Sequence, residues 1–269
     1  MSDIQKGQFS FGKNWQAYLR NLTEERQARA RKSLTDFMSL ADLKGKSFLD
    51  IGCGSGLFSK AAFDLGATAV TSIDRDPFSV ACCQYLYEQS GSPANWTIRE
   101  MSILDEKIRT LGRFDIVYAW GVLHHTGSMW EALEQTISLV APGGRLYIAI
   151  YNRIPGRMGS LLWLRIKRWY NVSPRPVKLI MEWLYIAGFC FKNLVRFKNP
   201  WKKMRQHSSK RGMDWRRDVS DWLGGYPYEF ATVDEIFMRV KDTHPDLNLI
   251  NLKSVQDLGN NWFVFERTK

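Results

Sequence analysis

The stretch Phe48-Leu49-Asp50-Ile51-Gly52-Cys53-Gly54-Ser55-Gly56 constrains this chain more than any other. A short apolar run stops on glycines at alternate positions. An apolar segment, Leu57 to Leu65, then follows. The pattern predicts a buried strand, a tight turn and a helix. Without a Cβ, the turn lets a ligand come close to the backbone. That ligand would sit at the carboxyl ends of the strands, beside a helix N-terminus.

The same alternation continues downstream. Strands are predicted at 69–74, 95–100, 114–119 and 145–151, with helices at 78–89 and 129–140 and a turn at Pro142-Gly143-Gly144. An amphipathic helix is predicted over 23–43. Five strand–helix alternations imply an α/β fold with a mostly parallel sheet. The pattern breaks at 152. From Val177 to Val195, apolar residues recur at helical spacing, so a long helix is expected there. Thr232-Val233-Asp234-Glu235 reads as a capping box. Strands at about 248–255 and 261–266 end the chain, the last expected to be antiparallel. Four parts result: an N-terminal helical segment (1–44), a core (45–151), a helical cap insertion (152–230) and the remainder of the core (231–269).

The net charge of +11 over 269 residues is unevenly distributed. Residues 151–217 hold 17 Lys and Arg against 2 Asp and Glu, while the rest holds 21 against 25. A slightly acidic body thus carries a strongly basic cap. The four cysteines are scattered, and no Cys/His spacing suits zinc, so neither a disulfide framework nor a metal site is expected. The longest apolar stretch, Leu179 to Phe191, has 13 residues and contains Glu182, well short of a spanning helix. With no signal-peptide pattern at the start, the expectation is a cytoplasmic protein, with peripheral membrane contact as an option.

Two kinds of cofactor use such a glycine turn, dinucleotides and S-adenosylmethionine. The dinucleotide fingerprint wants its third glycine one residue later than Gly56. Asp50, just before the turn, would repel a pyrophosphate but suits the cationic methionine end of S-adenosylmethionine. Asp74, at the end of the next strand, is placed to accept from ribose hydroxyls.

The glycine turn resembles the first motif of class I S-adenosylmethionine-dependent methyltransferases. Ser72-Ile73-Asp74, Phe114-Asp115-Ile116-Val117, Val122-Leu123-His124-His125 and Ala141-Pro142-Gly143-Gly144-Arg145-Leu146 are also similar to that family, especially to its ubiquinone-biosynthesis-like branch. The likeness covers about 45–151 and, more loosely, the last two strands. It implies a Rossmann-like sheet, S-adenosyl-L-methionine as cofactor and S-adenosyl-L-homocysteine as product. Asp50, Gly52, Cys53 and Gly54 would line the methionine moiety. Asp74 would bind the ribose, with Arg75, Met101 and Ser102 around the adenine. Trp120 would border the transferred methyl. Many relatives carry Asp where this chain has Ser102. Trp15, from the Phe11–Trp15 segment, is a candidate lid over the cofactor.

The resemblance makes His125 the first candidate for a general base, with His124 behind it. A second cluster, Asp218 to Glu229, is rich in carboxylates and aromatics, and Tyr226, Tyr228 and Glu229 are candidates to shape the acceptor site or take a proton. The expected reaction is methylation, O-methylation favoured, of a small-molecule or lipid-linked acceptor under the cap. The cap itself has three readings: a membrane-interface helix, an RNA-binding surface that would make the acceptor RNA, or a helix that caps the pocket or pairs with a second subunit in a homodimer. A non-catalytic binding or assembly protein is the remaining alternative. The motifs do not set the acceptor.

Overall fold

The computed structural model describes residues 22–211 and 215–269 together with Gly12, Trp15 and Leu19; for 206–211, 216 and 217 only the backbone is described. Seven strands form one sheet: β1 (Ser47–Ile51), β2 (Ala69–Asp74), β3 (Trp96–Glu100), β4 (Phe114–Trp120), β5 (Val140–Tyr151), β6 (Leu247–Lys253) and β7 (Asn260–Arg267). Their order across the sheet is β3-β2-β1-β4-β5-β7-β6. β7 alone runs antiparallel to its neighbours. The order reverses between β1 and β4, where ligands bind in sheets of this kind.

Strand alternation divides the core into two layers. Leu49, Ile51, Val117 and Ile148 point to one face, under α4 (Met129–Ser138) and α9 (Val233–Thr243). Phe48, Tyr118 and Tyr147 point to the other, under α1 (Glu24–Met38), α2 (Leu57–Asp64) and α3 (Pro77–Gln89). α1 buries Ala30, Leu34 and Met38, one residue per turn. It stops short of the predicted end at 43 because Ser39 turns left-handed and caps it. α9 opens on the predicted capping box, with Thr232 and Glu235 bonded reciprocally.

The predicted turn at 142–144 is a correction. β5 runs unbroken from Val140 to Tyr151, and its register against β4 shifts between Phe114 and Ile116. Pro142-Gly143-Gly144 therefore forms a bulge within one strand. A Cβ on Gly144 would lie 3.0 Å from the carbonyl oxygen of Phe114, so glycine permits this close approach.

The chain leaves the sheet at Asn152 and rejoins it at Ala231, and these two residues form a bridge. Between them lie α5 (Ser160–Val172), α6 (Arg175–Leu194), α7 (Pro200–Arg211) and α8 (Trp215–Gly224). The cap has its own small core of Tyr170, Met181, Val219 and Leu223.

Candidate active site

An open cleft of about 1930 Å³ lies between the carboxyl ends of the strands and the cap. The glycine turn and Asp50 come from β1. Asp50 is buried, and its Oδ2 accepts from Ser59 Oγ of α2 at 2.6 Å. Behind Ser59, Trp96 Nε1 donates to Ser72 Oγ at 2.9 Å, and Ser72 Oγ donates to Ser59 Oγ at 2.7 Å. Three elements thus aim one carboxylate. Burial pushes the Asp50 carboxyl up to about 7; the Ser59 bond opposes this and the nearby Asp74 charge adds to it.

Asp74 ends β2. Its Oδ2 accepts from the Gly54 amide at 3.0 Å and its Oδ1 from the Asp76 amide at 2.9 Å. Burial raises it above the ordinary carboxylate range. Gly54 sits at φ +54°, and a Cβ there would lie 2.9 Å from Trp15 Nε1. Trp15 therefore lies against the turn, as a lid would. The Gly12 amide donates to Asp76 Oδ2 at 3.1 Å, which ties this segment to the start of α3. Phe11, Lys13 and Asn14 of the expected lid lie outside the described residues.

Gly52, Cys53, Arg75, Met101 and Ser102 line the same cleft. The buried Cys53 thiol is held well above its ordinary pKa, first by a hydrogen bond with Cys83 and then by burial, so it stays protonated. Ser102 Oγ accepts from the Leu104 amide at 3.1 Å, which shapes the turn after β3. Trp120, at the end of β4, packs edge-on against Trp262 with ring centres 5.7 Å apart. Lys253 Nζ lies 4.1 Å from the centre of the Trp262 ring. Trp262 and Lys253 complete this wall from β7 and β6. Nothing local in the sequence singled them out, because they reach the cleft only through the strand order.

His124 and His125 form a short 3₁₀ turn after β4. His125 Nδ1 lies 2.7 Å from the Pro227 carbonyl oxygen. A carbonyl only accepts, so the ring proton is on Nδ1 and the lone pair on Nε2. Burial pulls the imidazole down to about 4, against the opposing effect of the Pro227 bond, so the ring is neutral at neutral pH. His124 is packed differently. Its Nδ1 accepts from the Tyr151 amide at 3.3 Å, and its ring lies tilted against that of Tyr151 with centres 4.0 Å apart. It braces the turn.

Two candidates move away from the chemistry. Both carboxylate oxygens of Glu229 accept from the Met129 amide, at 3.1 and 3.0 Å. Glu229 therefore caps the N-terminus of α4, from 100 residues downstream. Tyr228 is buried behind the cleft wall, its ring 4.8 Å from Lys167 Nζ. Neither residue lines the cleft, whereas Tyr226 does.

Lys167 was not expected. This side chain of α5 is fully buried, and its ammonium donates to the Trp222 carbonyl oxygen and lies 4.0 Å from the centre of the Trp222 ring. Burial pulls its pKa down to about 7, partly offset by the charge of Asp221. A signal did exist: Lys167 falls on the inward face of α5 with Trp163, Ile166 and Tyr170, at spacings of three and four.

The cap side of the cleft is largely aromatic, with Trp163, Tyr185, Phe189, Trp215 and Trp222 facing it. The volume exceeds the range of about 300–1,000 Å³ usual for one small ligand.

A family profile described as a methyltransferase domain matches residues 22–218. The chain belongs to this methyltransferase family, and its fold is that of class I S-adenosylmethionine-dependent methyltransferases. It is 28% identical to the ubiquinone biosynthesis O-methyltransferase of Xanthomonas euvesicatoria pv. vesicatoria over 184 residues, covering 65% of this chain and 75% of that one. It is 36% identical to the tRNA U34 carboxymethyltransferase of Idiomarina loihiensis over 111 residues, 40% of this chain and 34% of that one. Against Coxiella burnetii ubiquinone biosynthesis O-methyltransferase the match is 32% over 111 residues and spans 46% of that protein. Among solved structures, magnesium protoporphyrin IX methyltransferase from Synechocystis PCC 6803, with bound S-adenosylhomocysteine, aligns with a TM-score of 0.52 at 13% identity, covering 90% of this chain and 84% of that one. An O-methyltransferase family protein from Burkholderia thailandensis aligns with a TM-score of 0.52 at 15% identity, covering 93% and 64%.

Proposed function

We propose that this methyltransferase transfers the methyl group of S-adenosylmethionine to a hydroxyl of a small-molecule or lipid-linked acceptor held under the cap. The observation that carries the reading is the single cleft, with two buried carboxylates and the glycine turn at one end and an aromatic cap at the other. The cofactor supplies a methyl group already activated on a sulfonium. Its cationic end would suit Asp50, while Asp74 would accept from the ribose. Gly52, Cys53 and Gly54 would hold the methionine end, and Arg75, Met101 and Ser102 the adenine. Trp15 closes over the turn, and Trp120 borders the site of transfer.

The remaining work falls to this chain's side chains. The aromatic cap holds the acceptor and excludes water. His125, neutral and with its lone pair on Nε2, would take the acceptor's hydroxyl proton as the methyl passes from sulfur to oxygen and the sulfonium becomes a neutral thioether. The buried His124 and Tyr151 keep that ring in place. The relatives named as ubiquinone biosynthesis O-methyltransferases support the choice of an O-methyl product.

RNA is the second reading, favoured by the charge of the cap and by the tRNA-modifying relative. The apolar, aromatic lining of the cap side speaks against it. The test is transfer of labelled methyl into cell extract, fractionated into lipid, RNA, protein and small molecules. Label in the lipid or small-molecule fraction supports the proposal. Label in RNA alone overturns it.

A further inference from the structure

The long cap helix is apolar on two sides: Val177, Met181, Tyr185 and Ile186 pack into the cap core, and the opposite side is left uncovered. Met181 and Asn193 of α6 are buried, and Glu182 accepts from Tyr170 Oη at 2.5 Å on its inward side. Outward, Ile180, Trp183, Leu184, Phe191 and Leu194 form one stripe along the helix, each more than half exposed. Neighbouring α5 presents Leu161, Arg165, Arg168, Trp169 and Val172 at the spacing of a second outward stripe, with Leu161, Trp169 and Val172 more than half exposed. Phe197 and Trp201, just beyond α6, extend this surface. From Ile180 to Leu194 the stripe runs for about 21 Å along α6. Contiguous exposed apolar surface on this scale marks an interaction site.

Charge decides what the site meets. The exposed Arg165 and Arg168 interleave with the apolar residues of α5, and the exposed Arg175, Lys192, Arg196 and Lys198 flank those of α6. The only acids between 151 and 217 are Glu182, turned inward, and Asp214. Apolar stripes bordered by cations match the interface of an anionic bilayer, where acyl chains and acidic head groups lie side by side. A two-fold pair of chains would instead set these cations against their own copies. Among the described residues, no helix is long and apolar enough to cross a membrane.

We propose that the outward face of α5 and α6 lies on an anionic phospholipid bilayer, and that the cleft takes its acceptor from that surface. The second clause rests on the function proposed above. Leu184 and Lys192 belong both to the exposed face and to the rim of the cleft, and so does the exposed Met158. An apolar acceptor can therefore pass from the bilayer to the cleft without crossing water.

The test is co-sedimentation of the full chain with vesicles of phosphatidylcholine alone, or of phosphatidylcholine and phosphatidylglycerol in equal parts. Wild type is expected to pellet with the mixed vesicles only, and less as salt rises. The double variant Ile180→Glu/Leu194→Glu, at exposed positions away from the cleft, is expected to lose binding with its melting temperature unchanged. The variant Arg165→Gln/Arg168→Gln is expected to bind about five-fold more weakly for each cation removed. S-adenosylmethionine binding, measured by calorimetry on the same preparations, is expected to persist in both variants, which separates failure of docking from failure of the methyltransferase reading. Wild type that ignores anionic vesicles overturns the proposal. So does undiminished binding by both variants, an RNA gel shift without vesicle binding, or a dimer in solution that Ile180→Glu/Leu194→Glu abolishes.

Discussion

The amide of Gly54 donates to Asp74 Oδ2 at 3.0 Å, so the turn after β1 is held by the acidic end of β2. One carboxylate both shapes the glycine turn and faces the cleft. Asp74→Ala is therefore expected to weaken S-adenosylmethionine binding by about ten- to a hundred-fold, the range for losing hydrogen bonds to a charged group. Calorimetry checks this. Undiminished affinity would remove the ribose assignment.

Asp50 adds a pH dependence. Its carboxyl is raised to about 7, so below that pH it is largely protonated and offers a cation little. Cofactor affinity is expected to rise as pH climbs through about 7, and binding below that pH is expected to release a proton. Calorimetry in buffers of different ionisation enthalpy measures the release, and Asp50→Asn should abolish it. The ligand-free protein responds in the opposite sense. Between the unfolded value near 3.8 and the folded value near 7, the folded state holds the extra proton, so the Asp50 contribution to stability falls as pH rises.

For His125→Ala, kcat is expected to drop by about 10²- to 10⁴-fold with cofactor affinity retained. Because the ring stays neutral down to about pH 4, its protonation should not limit the rate at pH 5. The checks are kcat measured across pH for wild type and variant. Rapid turnover by the variant would end the assignment of an essential base.

Glu229→Ala separates a cap from a catalyst. Losing the carboxylate at the start of α4 is expected to cost about 1 kcal/mol of stability. Denaturant unfolding and calorimetry, run together, should show that loss with S-adenosylmethionine affinity unchanged.

Lys167 carries the opposite linkage to Asp50. Its folded pKa near 7 lies below the ordinary lysine value of 10.5, so between these pH values the unfolded chain holds the extra proton. Its contribution to stability therefore rises with pH across that window, by at most about 1.4 kcal/mol per unit. Lys167→Met should flatten this rise, and the difference in unfolding free energy between the two proteins at pH 7 and pH 9 reads it directly.

Much of the cofactor end was legible because its residues are local. Asp50 and the glycines are neighbours in the chain, and Asp74 closes the next strand. A parallel sheet brings the ends of consecutive strands to one edge, so the motifs fell into one cleft without further information. The wall made by Trp120, Trp262 and Lys253 was not legible. It depends on β7 and β6 inserting beside β5, a long-range pairing with no local signature.

The cap shows the limit most clearly. The sequence by itself determined that α6 is apolar and that its flanks are cationic, since both are properties of residue type and helical period. Which side of the helix would face out was decided only when α5 and α8 covered Met181 and left Ile180 and Phe191 exposed. Tertiary packing likewise made Glu229 a cap for a helix 100 residues away and buried Lys167 against Trp222. Burial and partner choice come from what the rest of the chain places nearby, and periodicity alone does not carry that information.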